Sequence, residues 1–208
     1  MPKASANRRT ATWRILAAGL ASLAVAICLA LVGEPAFVGD RLTRMTVRCS
    51  LTWYALATSM MLFLGRDDWR ADAWRGWLAR WCWTWGWVAY VVHLGMAFHW
   101  FHGWSHARAM EHVRLASGVG EGIYVSHLFT LCWTADLAWW WLAPGVYAER
   151  RRWFDALLHG FMLFMVFNGT IVYETGFIRA AGVALFALLS VLMALRVAGL
   201  KVAPNRLN

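Results

Sequence analysis

Acidic residues are scarce in this chain. Eleven Asp and Glu stand against twenty Lys and Arg, and charged residues of either sign make up only 15% of the 208 residues. Soluble domains carry about 25% charge, so this shortage excludes an ordinary soluble domain. Proline is also rare, with four in all, and none falls inside a long apolar run, so no helix there is broken by one. The four cysteines, Cys28, Cys49, Cys82 and Cys132, lie singly within apolar segments. Without a C-x-x-C pair they suit neither a disulfide framework nor a thiolate metal site. The chain also lacks G-x-S-x-G, H-E-x-x-H and phosphate-loop motifs, and these absences remove the usual signatures of soluble hydrolases and nucleotide enzymes.

What is abundant is apolar surface. The chain is 61% hydrophobic and holds sixteen tryptophans, and its charges sit in short blocks between long apolar runs, the transmembrane pattern. The spacing predicts an all-α, polytopic integral membrane bundle forming one transmembrane domain. Its six helices fall at about 15–32, 49–65, 81–101, 122–142, 154–173 and 180–195. Ile15 to Val32 is an uncharged run of eighteen, longer than the about 7–15 residues of a signal-peptide core, so it reads as a retained first helix. Ala18, Ser22, Ala26 and Ala30 repeat every fourth position there, a small-residue stripe suited to close packing in lipid.

Lys and Arg set the orientation. Fourteen of the twenty lie on the side shared by both termini: Lys3, Arg8, Arg9, Arg14, Arg66, Arg70, Arg75, Arg80, Arg150 to Arg152, Arg196, Lys201 and Arg206. This predicts a multi-pass protein of the plasma (inner) membrane with N- and C-termini cytoplasmic. The net charge of +9 is spread beside the spans and forms no single stripe, so it points to the lipid surface and away from nucleic acid. Tryptophans near Trp81 to Trp87, Trp139 to Trp141 and Trp100 to Trp104 read as interfacial belts.

The distinctive residues are the histidines. Five of the seven lie between His93 and His112, and the others are His127 and His159. On a continuous helix at about 100° per residue, His99, His102 and His106 share one face. Neutral imidazole is a common ligand of zinc, copper and iron. His99, His102, His106 and His112 are therefore the candidate metal ligands, with Glu111 and Glu121 placed to orient them. A b-type haem held by His93 and His127 from facing helices is the alternative cofactor. The competing reading is structural: histidines at a headgroup interface bind lipid phosphates or partner loops, in a non-enzymatic accessory subunit. A small proton-coupled transporter is a third reading, weakened because no inverted repeat is visible. In every case the expected partners are the bilayer and either other membrane proteins or a second copy.

Asp136, inside the fourth span, and His159, at about the same depth in the fifth, form a second candidate site, a buried polar pair. An ionisable residue within a span is expensive and marks function or an interhelical clamp. His102-x-x-x-His106 resembles one histidine box of the membrane fatty-acid desaturases and hydroxylases. The likeness covers these residues alone: those enzymes use several boxes on the cytoplasmic side, and this chain has one, placed outward. If the outer histidines are ligands, the His99→Ala/His102→Ala variant loses its metal or haem. Elemental analysis and an absorption spectrum after chelator-free purification check this, and full retention removes those ligands.

Overall fold

The computed structural model describes residues 2–70 and 73–199, with side chains from residue 8 onward. Lys201 and Arg206, and the side chain of Lys3, all assigned above to the cytoplasmic side, lie outside what is described. The described residues are almost entirely helical and contain no strand. In order the helices are α1 (Pro2–Leu31), α2 (Val38–Met61), α3 (Trp74–Ala97), α4 (His106–Ser117), α5 (Gly122–Leu142), α6 (Pro144–Ala148), α7 (Arg152–Phe167) and α8 (Gly176–Val197). Three helical stretches, Arg8–Leu31, Arg152–Val172 and Gly176–Val197, are long and apolar enough to cross a membrane. They coincide with the first, fifth and sixth expected spans.

Two segments expected as links are helical. Residues 38–48 form the first half of α2, where Arg44 bonds Asp40 one turn back at 2.9 Å and Thr43 and Thr46 bond backbone carbonyls four residues earlier. Polar residues satisfied within the helix in this way carry it beyond its apolar part. The stretch after His102 is likewise helical, as α4.

The chain forms two compact units, Met1–Tyr54 with Thr84–Ala109, and Ala55–Trp83 with Met110–Asn208. In the first unit α1 packs through Ile15, Gly19, Ser22, Ala26 and Ala30. The small-residue stripe thus turns on Gly19 in place of Ala18, which is exposed. The Trp85 ring lies where any side chain at position 19 would go, so glycine is what admits the indole. Ser22 accepts the Trp53 indole N–H at 3.0 Å, and Ser50 donates to the Gly86 carbonyl at 2.9 Å.

In the second unit α7 continues through a π-turn, Asn168–Val172, and packs against α8. Buried Thr170 bonds the Val166 carbonyl and faces Gly182, whose added Cβ would lie 2.5 Å from Thr170 Oγ1 and 2.8 Å from its Cβ. Leu20, Val25 and Leu29 of α1, and Val183, Leu188 and Val191 of α8, stay exposed, as expected of lipid-facing surfaces. Gly182→Leu should lower stability by about 1–3 kcal/mol through overpacking. Gly145→Ala, where an added Cβ meets nothing within 4 Å, should change it by under about 0.5 kcal/mol. Thermal unfolding in detergent compares the two, and equal effects would contradict close α7–α8 packing.

Candidate functional site

The outer histidines do not share a helical face. α3 ends at Ala97, a π-turn covers Phe98–His102, and Gly103 and Trp104 follow with φ of 52° and 59°. His106 then opens α4 as a new helix. Sharing one face requires one continuous helix, and the left-handed residues Gly103 and Trp104 end it. His99 and His106 are exposed and His102 is half-buried, its ring 5.4 Å from that of Phe98. His93 Nδ1 lies 2.9 Å from the Thr43 carbonyl, so this nitrogen donates to the backbone. Exposed His112 and His127 belong to the second unit, whereas His93, His99, His102 and His106 belong to the first.

Glu111, expected to orient imidazoles, is held by Arg114 through bonds of 2.6 and 2.7 Å, and this pairing depresses its pKa. Glu121 flanks the start of α5 and makes no side-chain cap there. Among the described residues, no three His, Cys, Asp or Glu side chains converge as a metal site.

Asp136 is the centre of a different constellation. On α5 the residues Phe129, Trp133, Asp136, Leu137 and Trp140 are buried, a stripe with helical spacing facing the interior of the second unit. Asp136 is only 3% exposed. A carboxylate there needs donors, and two arrive: Trp83 Nε1 at 3.0 Å to Oδ2, and the Tyr147 hydroxyl at 3.0 Å to Oδ1 and 3.2 Å to Oδ2. Pro144 occupies the first turn of α6, where its fixed φ suits a helix start, and this short helix returns Tyr147 to Asp136.

Trp83 links Asp136 to the expected partner. The Trp83 ring lies 4.8 Å from Trp133 and meets the His159 ring edge-on at 5.9 Å. Asp136 and His159 thus both adjoin Trp83, with the carboxylate's hydrogen bonds going to the indole and the phenol. His159 is half-buried, and its Nε2 is closed to solvent with no hydrogen-bond partner among the described residues.

Around this core cations sit on aromatic faces. The Arg150 guanidinium lies 3.4 Å from the Tyr147 ring centroid and 4.8 Å from that of Trp69, and it pairs with Asp155. Trp140 stacks on Tyr147 at 5.0 Å and 8°, and donates its indole N–H to the Trp69 carbonyl. Arg80, 3% exposed, donates to the Trp140 carbonyl at 2.9 Å and lies 4.5 Å over the Trp141 ring. Burial first, and the Asp136 carboxylate second, hold the Tyr147 phenol well above the ordinary tyrosine range. The hydroxyl therefore stays a donor at neutral pH.

Trp83, Tyr147, Arg150 and Arg80 were not among the residues singled out from the sequence. The two arginines were counted for orientation and Trp83 for a belt. Two signals were present: Arg80 and Trp83 share a helical face by their spacing of three, and a tryptophan that is buried needs an acceptor for its N–H.

Beside this network lies a cavity of about 1180 Å³ within the second unit. Tyr147, Arg150, Asp155 and His159 contribute to one part of its wall, and Leu163, Phe186, Leu189 and Met193 to another. Its size is at or above the upper end of ordinary ligand pockets, about 300–1,000 Å³.

No family model, curated protein or solved structure matches the chain.

Removing either donor should leave a buried carboxylate short of a partner. Tyr147→Phe and Trp83→Phe should each cost about 1–3 kcal/mol, and the double variant less than their sum, since both bond Oδ2. Strict additivity in detergent unfolding would show that the two act independently. A raised folded-state pKa at Tyr147 means its contribution is full below the unfolded value of about 10 and is lost as pH rises beyond it. The difference between wild type and Tyr147→Phe should accordingly narrow above that pH.

Proposed function

We propose that the chain is a ligand-binding protein of the plasma (inner) membrane, with six spans, both termini cytoplasmic, and its working site in the cavity of the second unit. The observation that carries this reading is the cavity of about 1180 Å³, with Leu163, Phe186, Leu189 and Met193 on one part of its wall and Tyr147, Arg150, Asp155 and His159 on another. A chamber of that size with mostly apolar walls and a few placed polar groups is the usual form of a small-molecule site.

Several features support the six-span topology. α2, α3 and α5 are 24, 24 and 21 residues long, and each exceeds the about 30 Å hydrocarbon thickness at about 1.5 Å per residue. Arg196, at the end of α8, donates to the carbonyl of Leu62, just past the end of α2. Those two ends lie together, as they would if the second and sixth spans finished on one side. The basic residues at these ends favour the cytoplasmic side for both.

Of the two Asp136 donors, Tyr147 also lines the cavity, which joins the buried network to its wall. Metal or haem chemistry at the outer histidines is the second reading, and it rests on the sequence pattern.

The test is native mass spectrometry of protein purified in mild detergent without chelator, alongside Gly160→Leu. Gly160 lines the cavity, and a Cβ added there meets nothing within 4 Å. The first added carbon therefore meets no neighbour, the rest of the larger side chain is directed at the cavity, and leucine favours the helix over glycine. A bound non-protein mass in wild type, absent from Gly160→Leu, is expected. A folded wild type that is always empty, or a mass equally retained by Gly160→Leu, removes the reading. A metal or haem lost on substituting His99 and His102 would move the site to the outer histidines.

A further inference from the structure

We infer that the occupant of this cavity is an anionic phospholipid from the cytoplasmic leaflet, its phosphate held by Arg66, Arg152 and Arg196 and one acyl chain laid along Leu163, Phe186 and Met193. The inference rests on the ligand-binding reading above and names the chemistry of the ligand.

The arginines of this region differ in how they are partnered. Arg70 pairs with Glu149 at 3.8 Å, Arg75 with Asp68 at 3.6 Å, and Arg150 with Asp155. Each is thereby neutralised in place. Arg66, Arg152 and Arg196 also line the cavity, yet among the described residues none of the three has an acidic partner. Among the described residues, Arg196 donates to the Leu62 carbonyl, and a guanidinium has five N–H donors to share.

Among the described residues Asp155 is the one carboxylate in the cavity wall, and its charge is matched by Arg150, so it does not oppose an anion. The wall therefore carries a local excess of positive charge at the ends of three chain segments: after α2, at the start of α7 and at the end of α8.

Guanidinium groups bind phosphate oxygens through paired, charge-assisted hydrogen bonds. Farther along α7 and α8 the lining is mostly apolar, with Leu163, Phe186, Leu189, Met193 and Ala194, and His159 and Ser190 as its polar members. A charged rim above an apolar shaft matches a molecule with an anionic head and a hydrocarbon tail. In the six-span topology the three arginines lie at cytoplasmic ends, where anionic lipid headgroups are available. A volume of about 1180 Å³ is more than a headgroup alone requires.

General attraction of surface arginines to an anionic bilayer is a separate effect, worth about 1 kcal/mol per residue. Arg151 separates the two: it is exposed and adjacent to Arg152, but it does not line the cavity.

The full chain would be reconstituted in vesicles of phosphatidylcholine alone, or of phosphatidylcholine with phosphatidylglycerol. It would then be re-extracted in mild detergent, and the retained lipid identified by native mass spectrometry. Wild type should retain phosphatidylglycerol over phosphatidylcholine. Arg66→Gln/Arg152→Gln should reduce that preference by about tenfold, with lipid still bound, while Arg151→Gln keeps it. Gly160→Leu should retain neither lipid. An unchanged preference in Arg66→Gln/Arg152→Gln, an equal loss in Arg151→Gln, or displacement of the phospholipid by added oleate overturns the headgroup assignment and leaves the cavity reading standing. Equal lipid retention by Gly160→Leu overturns the cavity reading itself.

Discussion

A carboxylate removed from water has to be given donors, and Asp136 determines much of how the second unit is built. Taking such a group out of solvent costs several kcal/mol unless hydrogen bonds replace its hydration. Here α3 supplies the Trp83 indole and α6 supplies the Tyr147 hydroxyl. Tyr147 in turn presents one face to Trp140 and has Arg150 over its ring. One buried charge thereby fixes the positions of an indole, a phenol and a guanidinium, and through Asp155 it reaches the first turn of α7.

The same requirement explains the aromatic content of this unit. Tryptophan and tyrosine combine large apolar area with a single polar atom, so they pack an apolar interior and still hold a carboxylate or a carbonyl. Trp140 does both: it is fully buried, donates to Trp69, and offers its own carbonyl to Arg80. A belt at the membrane surface accounts for exposed Trp141 and Trp153. It does not account for Trp83, Trp133 and Trp140, which lie in the core.

The histidines show how far periodicity carries. Placing His99, His102 and His106 on one face assumed that α3 runs on unbroken, as an apolar run followed by helix-compatible residues suggests. Gly103 at positive φ gave a usable warning, because glycine is the residue that most readily ends a helix in that conformation. Trp104, also at positive φ, gave none. Glu111 was equally ambiguous: a carboxylate near histidines is a candidate orienting group until an arginine three residues along the same helix takes it.

By itself the sequence determined the all-helical, membrane-associated class, because the length and apolarity of Arg8–Leu31, Arg152–Val172 and Gly176–Val197 are local properties of the chain. It also marked Asp136 and His159, since an ionisable residue in an apolar run is conspicuous wherever the run packs. Only the tertiary structure decided what surrounds them. Trp83 reaches Asp136 across 53 residues and Arg80 reaches Trp140 across 60, and no spacing rule connects positions that far apart. Which arginines are neutralised and which line a cavity was decided in the same way. Charge is written into the sequence, but its compensation depends on which helices pack together.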